Sequence, residues 1–561
     1  MRERVAIVGS GPTAIYALQE LLECSKALEI VIFERCGVAG KGTPYQREIN
    51  DPAMLSNIPS IEIPELPTCL DKWLRQQPDD YLDSLDIVRS KISDRTFYPR
   101  VVIGDFFRAQ FETLIQNSTS SKHVVVVHEN CLVSDIKPAG DRFEIMLGHS
   151  AILANAEFDY VVIATGHSFP SEPESSPGFF EAPWPATALE CIPSGNIGIL
   201  GTSLSAIDAL VTISTKFGAF TRNGVGELEF HANQEGSSLN IVMMSRKGLL
   251  PEADFFFPIP YDQPKVCTQA AVDERVALGS SGLLDDLFDL FREEISASDP
   301  DYAQSIGLDA LDVDTFAAAY YGVRNQVDPF EWAAANLSEA TSNYQKKHTI
   351  AWRYAILITH EIIESAVGSL NADDLARFNR SFKSIFADDY ATVPHLSIER
   401  LLALHRAGFI EIKATGDKAE ITREGLDRGA VVTVDGQPLH FDTFINATGQ
   451  KTLSARELPF PSLVEKGLIS EARTLTPRGN QRRTGGIDVD EQCRPLVAGI
   501  QPVRRLYVPA VSYLLHKRPF VQGITSAAEL GKVVAASIVS DAEKWTRRRR
   551  TRTLVSRSAA A

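Results

Sequence analysis

At 561 residues the chain is too long for one hydrophobic core, so two or three domains are expected. Hydrophobic residues make up 44% and charged residues 23%, an ordinary balance for a soluble globular protein. Lys plus Arg number 56 against 72 Asp plus Glu, and the net charge of -16 argues against a general nucleic-acid binder, which carries a basic face. The first predicted strand, Val5-Ala6-Ile7-Val8, starts too early for a signal peptide to precede it. No uncharged apolar run reaches the roughly 18 residues of a membrane span, so a cytoplasmic protein that does not engage membranes is expected. The seven cysteines contain no C-x-x-C pair, so neither a metal site nor a dithiol centre has local support.

Between that strand and a segment of helical spacing (Ile15, Leu18, Leu21, Leu22) lies G-x-G-x-x-A: Gly9, Ser10, Gly11, Pro12, Thr13, Ala14. Gly9 permits the tight turn, Gly11 lets backbone approach a pyrophosphate, and Ala14 lets the helix pack closely on the strand. Pro12 near the helix start removes an N–H that would lack a partner. The next strand, Ile30-Val31-Ile32-Phe33, ends on Glu34, followed by Arg35. A carboxylate there accepts hydrogen bonds from both hydroxyls of an unphosphorylated ribose, so the first site takes FAD or NAD. Farther on, Phe97 to Gln116 reads as a turn and then an amphipathic helix beginning near Asp105.

Some 190 residues after the first loop the pattern returns. The strand Asn196-Ile197-Gly198-Ile199-Leu200 leads into Gly201, Thr202, Ser203, Leu204, Ser205 and Ala206. Its second strand ends on Ser245, Arg246 and Lys247, where the first unit has Glu34. A hydroxyl and two cations suit a 2′-phosphate that an acid would repel, so this unit is predicted to bind NADPH. Two further strands end alike, in Ala164-Thr165-Gly166 and Ala447-Thr448-Gly449. Each lies downstream of its own glycine loop, the mark of an internal repeat at domain scale; Thr448 and Gly449 are assigned to the NADPH site.

Residues 265–395 interrupt the second unit and read as helices, including Leu283 to Ile295 and Ile350 to Val367. An insertion of this size suits a pocket wall, with Arg324 and Arg353 as candidates to meet a carboxylate substrate. Near the C-terminus a helix starting near Thr525 or Ser526 would aim its positive end at the flavin pyrimidine. Lys517 and Arg518 in the loop before it are further substrate candidates. Past Trp545 an arginine run and a Ser/Ala tail read as disordered.

The two loops and the paired A-T-G strands resemble the two-dinucleotide-domain flavoproteins, over roughly residues 1–260 and 400–540. Within that group the D-x-x-x-x-A-T-G strand from Asp442 to Gly449 is similar to a signature of the flavin-dependent N-hydroxylating monooxygenases, with Gln450 where a Tyr normally stands. The stretches Gly40 to Tyr45, Met54 to Ile58 and Ser245 to Pro251 are similar to a bacterial set that includes aspartate N-oxygenases forming nitrosuccinate. The F-x-G-x-x-x-H fingerprint of Baeyer–Villiger oxygenases is missing near Phe179 to Trp184.

The resemblance implies an α/β fold of two Rossmann-like domains with a helical insertion, FAD held by the first. It divides the chain into 1–190 (FAD domain), 191–264 (NADPH domain), 265–395 (helical insertion), 396–445 (NADPH domain again), 446–545 (FAD domain again) and a tail at 546–561. It places Tyr45 and Asn57 beside the isoalloxazine, Val133 at the adenine, and Thr165, Gly166 and Ser526 along the FAD. It implies an NADPH-dependent monooxygenase that N-oxygenates a small amine or amino acid, aspartate-like as a specific guess, with molecular oxygen through a flavin C4a-hydroperoxide. The cofactor carries that chemistry, so no catalytic side chain is named. An NADPH oxidoreductase without oxygen insertion, or a nucleotide-binding sensor or partner-binding protein, would share the same motifs. Oligomeric state is not readable.

Overall fold

The structure is a computed structural model that describes residues 2–148, 156–167, 172–449, 452–497, 499–520 and 523–558. The first unit comprises β1 (Glu3–Val8), α1 (Pro12–Leu22), β2 (Leu28–Phe33), α2 (Arg100–Ser118), β3 (Val124–His128) and β4 (Tyr160–Ile163). The second comprises β5 (Phe179–Phe180), β6 (Asn196–Leu200), α3 (Leu204–Phe217) and β7 (Asn240–Ser245). A helical stretch follows, including α4 (Leu283–Ser298), α5 (Pro329–Lys346), α6 (Ala351–Val367) and α7 (Lys383–Tyr390). The chain then returns through α8 (His395–Arg406), β8 (Ile410–Ala414) and β9 (Thr443–Asn446), and ends with β10 (Leu506–Tyr507) and α9 (Ile524–Ser558).

The protein is α/β. Short β-branched runs such as Val5-Ala6-Ile7 and Tyr160-Val161-Val162-Ile163 are buried on both faces, which suits strands of a parallel sheet covered by helices. The first sheet has the order β3-β2-β1-β4-β10 with every neighbour parallel, Val5 lying opposite both Ile30 and Tyr160. The second repeats it as β8-β7-β6-β9-β5, also parallel, with Glu174–Ser176 added antiparallel at the edge. In each sheet the first strand is central. Its next two strands run outward on one side, and the strand leading to A-T-G lies on the other. The order therefore reverses beside β1 and beside β6, which opens a crevice at the strands' C-terminal ends.

The helical stretch has its own aromatic core of Phe288, Phe291, Phe316, Phe382 and Phe386. Phe520, from the loop before α9, enters that core 5.4 Å from Phe386, and its backbone N–H donates to Glu364 Oε1 at 2.7 Å. The stretch is thus fastened to the C-terminal return of the first unit. Among the described residues no helix is long and apolar enough to cross a membrane.

Two local expectations change. α2 begins at Arg100, five residues ahead of Asp105, because Pro99 in extended geometry forms its N-cap and the residues that follow are free to coil. α9 continues to Ser558, through the stretch read as a disordered tail; Arg is a favourable helix residue, and residues 546–558 hold neither Gly nor Pro.

Candidate functional site: two nucleotide units around one cavity

The first loop is fixed from three sides. Gly9 N–H donates to the Phe33 carbonyl at 2.8 Å, and its φ of +100° is one that side-chain-bearing residues rarely adopt. A Cβ there would stand 2.4 Å from the Ala164 carbonyl oxygen, so the A-T-G turn presses directly on the loop. Glu34 is buried at the end of β2. It accepts from the Ser10 hydroxyl at 2.6 Å, from Ser10 N–H at 3.2 Å and from Cys36 N–H at 2.9 Å. A carboxylate offers about four lone-pair sites, so ribose hydroxyls would share it with Ser10. α1 starts at Pro12 with no side-chain cap and no acid in its first turn, which leaves its N-terminal amides suited to a phosphate.

Around that loop, Thr13 and Val133 are buried, Arg35 is exposed, and Thr165 and Gly166 are half-buried just past β4. The Gly40 to Tyr45 segment folds over the loop, Gly42 packing on Gly11 and Pro12. Burial pushes the Tyr45 phenol up to about 12, with Arg100 opposing the shift.

The second loop copies this arrangement. Gly201 N–H donates to the Met244 carbonyl at 2.6 Å, φ is +131°, and a Cβ would stand 2.6 Å from the Ala447 carbonyl oxygen. Thr202 is buried and donates its hydroxyl to the Leu249 carbonyl at 2.6 Å. Ser203 is the exposed N-cap of α3, again with no side-chain cap and no acid in the first turn. At the end of β7, Ser245 Oγ accepts from Gly248 N–H at 3.2 Å. Arg246 is exposed and stands 3.6 Å from Asp417, itself open to solvent. Lys247 lies with Nζ 3.0 Å from the centre of the Tyr321 ring, and burial, then Arg246, lowers its ammonium to about 8. Thr448 and Gly449 are exposed beyond β9, where the Thr448 hydroxyl donates to Asn446 Oδ1 at 2.8 Å.

Between the two units and the helical stretch lies a cavity of about 1010 Å³. It brings together Tyr45 and Asn57 from the first unit, Ser203, Thr448 and Gly449 from the second, and Lys517, Arg518 and Ser526 near the start of α9. Phe255, Phe257, His360, Glu364 and Tyr390 are among its other lining residues. The loop residues Gly9 to Thr13, Glu34 and Arg35, and the turn Ser245 to Lys247, stand outside this lining, as do Val133, Thr165, Gly166, Gly201 and Thr202. α9 starts at Ile524, with no acid in its first turn. Lys517 pairs with Glu491 at 2.5 Å and Arg518 with Glu529 at 3.0 Å. Gln450 lies outside the described residues.

Arg324 and Arg353 are not cavity residues, which corrects their assignment as substrate candidates. They are 4% and 2% exposed, and both are committed to internal carboxylates. Arg324 reaches Asp388 at 2.5 Å and Glu252 at 3.5 Å; Arg353 reaches Glu252 at 2.7 Å. Exposing either guanidinium to a ligand would break a buried ion pair.

Two further features escape the sequence reading. Arg100, at the start of α2, crosses to Asp208 on α3 at 2.6 Å and so ties the two units beside the cavity. Burial pushes the Asp208 carboxyl up to about 6 against the pull of Arg100. The second feature is a set of carboxylates, Glu62, Asp254 and Asp389, on the wall supplied with help from the helical stretch. The signal for Asp254 is visible in Ala253-Asp254-Phe255-Phe256-Phe257, an acid set inside an aromatic run.

The two loops, the acid at the end of β2 and the uncapped helix starts fit FAD and a nicotinamide dinucleotide, and they define a flavoprotein-type oxidoreductase with two nucleotide units. Residues 6–168 match the family of FAD-NAD(P)-binding domains, and residues 268–390 match the YdhS-like middle domain. YdhS of Escherichia coli (strain K12) is 39% identical over 548 residues, covering 97% of this chain and 99% of that protein. The chain belongs to the YdhS family.

Solved structures similar to it include the Kutzneria sp. 744 ornithine N-hydroxylase KtzI, at 14% identity and a TM-score of 0.48, covering 97% of this chain and 100% of that one. The bacillithiol disulfide reductase Bdr of Bacillus cereus aligns at 11% identity and a TM-score of 0.40, covering 96% and 100%. A flavin-containing monooxygenase of Stenotrophomonas maltophilia aligns at 12% and 0.39, covering 96% and 99%.

Proposed function

We propose that the chain is an NADPH-dependent flavin monooxygenase that N-oxygenates a small amine or amino acid. The observation that carries this reading is the convergence on one cavity of residues from both nucleotide units and from the middle domain. In this reading the first loop and α1 would hold the FAD pyrophosphate, Glu34 the ribose, and the start of α9 the flavin. Ser203 and the start of α3 hold the NADPH pyrophosphate, while Ser245 and Arg246 receive the 2′-phosphate, with Lys247 raising the local positive potential. FAD, when bound, accepts the hydride from NADPH and passes electrons to oxygen.

The remaining work belongs to side chains of this chain. Phe255, Phe257 and Tyr390 present apolar surface on the cavity wall, which limits the water around a bound substrate. An aspartate-like substrate is the narrower form of this reading and would have to draw Lys517 or Arg518 away from Glu491 or Glu529.

The test is oxygen accounting with NADPH and a panel of amines and amino acids. The expected result is an accepted substrate that converts oxygen consumption into hydroxylamine or a more oxidised nitrogen product, with hydrogen peroxide falling in step. Peroxide formation that no member of the panel suppresses would contradict N-oxygenation and favour an oxidoreductase with a different acceptor.

A further inference from the structure

The buried ion network under the cavity wall leaves one carboxylate without a hydrogen-bond donor. Two guanidinium groups, Arg324 and Arg353, face three carboxylates, Glu252, Asp388 and Asp389. A further cation, Lys247, adds its charge at Asp388. Asp389 is the poorest served. It is 1% exposed, neither of its oxygens makes a hydrogen bond, and Arg353 Nε stands 3.5 Å away without donating to it. Buried carboxylate oxygens are rarely left so, because each loses its water without gaining a donor.

Asp389 also lines the cavity, and the same wall carries Asp254 and Glu62. Asp254 accepts from the Tyr344 and Thr392 hydroxyls, which satisfy it without neutralising it. Burial, then the Asp254 charge, pushes Glu62 up to about 8; burial against the pull of Arg353 pushes Asp389 to about 8. Three carboxyl groups thus share one aromatic-lined face of the cavity, beside Phe255, Phe257 and Tyr390, and a cation placed there favours their ionised forms. Among the described residues no group of three His, Cys, Asp or Glu is placed to hold a metal ion.

We propose that this face is a binding subsite for an organic ammonium group, with Asp389 as its anchoring carboxylate and Glu62 and Asp254 supplying the surrounding negative potential. An ammonium carries the donors that Asp389 lacks, and its alkyl or aryl portion rests on the aromatic wall. The subsite deepens the reading of the cavity as a substrate pocket and assigns its cation end to the middle domain.

Calorimetric titration of the FAD-loaded full chain with 2-phenylethylammonium, 2-phenylethanol and phenylacetate tests it. The ammonium should bind at least about tenfold more tightly than the alcohol, and phenylacetate more weakly still. Asp389→Asn should weaken the ammonium by about tenfold or more without changing the alcohol, and Glu62→Gln by a smaller factor. Glu62 is half-buried and takes no part in the ion network, so its variant decides the matter if Asp389→Asn does not fold. Equal affinity for the ammonium and the alcohol, absence of ammonium binding, or full affinity in the folded variants would overturn the proposal. The titration uses neither NADPH nor turnover, so a failure of N-oxygenation in the oxygen accounting leaves its result intact, and the reverse also holds.

Discussion

Gly9→Ala should yield a protein that purifies without colour, whereas Gly201→Ala should yield a yellow protein that NADPH no longer bleaches. Both glycines hold a positive φ, and in both an added methyl would meet a carbonyl oxygen of the paired A-T-G turn, at 2.4 Å from Ala164 and 2.6 Å from Ala447. Backbone must move in either case, since neither neighbour is a flexible side-chain end. Strain of this kind costs about 1–3 kcal/mol, and it falls on the amides that approach the pyrophosphate. A loss of about ten- to a hundredfold in affinity for FAD at the first site, and for NADPH at the second, is expected. The readouts are flavin content per chain and the concentration of NADPH needed for half-maximal flavin reduction. The asymmetry is the informative part. Loss of flavin from Gly201→Ala, with retention in Gly9→Ala, would exchange the two assignments.

Arg246→Ala should weaken NADPH by about tenfold or more and leave NADH within about twofold. Arg246 is exposed at the end of β7, and its 3.6 Å contact with solvent-exposed Asp417 is worth little, so the guanidinium is free to turn to a 2′-phosphate. Its removal costs NADH nothing comparable, because an unphosphorylated ribose has no dianion to neutralise. Lys247 is the weaker partner, held against Tyr321 and partly desolvated. Parallel titrations of both nucleotides against wild type and variant measure the effect. Equal weakening of NADPH and NADH would show that Arg246 supports the fold of the turn and does not read the phosphate.

The parts of this fold that are local in sequence are the parts legible without a structure. Strand, glycine turn and helix are contiguous in sequence at Val5 to Leu22 and again at Asn196 to Phe217, so periodicity and turn chemistry reveal both. The match between Gly9 and Ala164, or Gly201 and Ala447, is not local, although the repeated A-T-G hints that the two turns play one role.

Burial is where sequence reasoning fails most clearly. Arg324 and Arg353 look like any exposed arginines on helical segments, and only the packing of α6 and α7 against the 250–255 segment shows them paired inside. The same fact hides Glu62, Asp254 and Asp389, which come from three segments separated by well over a hundred residues. The end of α9 fails for a different reason. An arginine run with no apolar periodicity reads as a solvated tail, yet arginine is intrinsically good at extending a helix that has already formed.

The most direct measurement is the absorbance of the purified yellow protein after rapid anaerobic mixing with NADPH. Bleaching of the oxidised flavin at a stoichiometry of about one NADPH per FAD, faster and at lower concentration than with NADH, is the result expected of two nucleotide units serving one cavity. Flavin that stays oxidised in the presence of saturating NADPH, or that NADH reduces as readily, would contradict it.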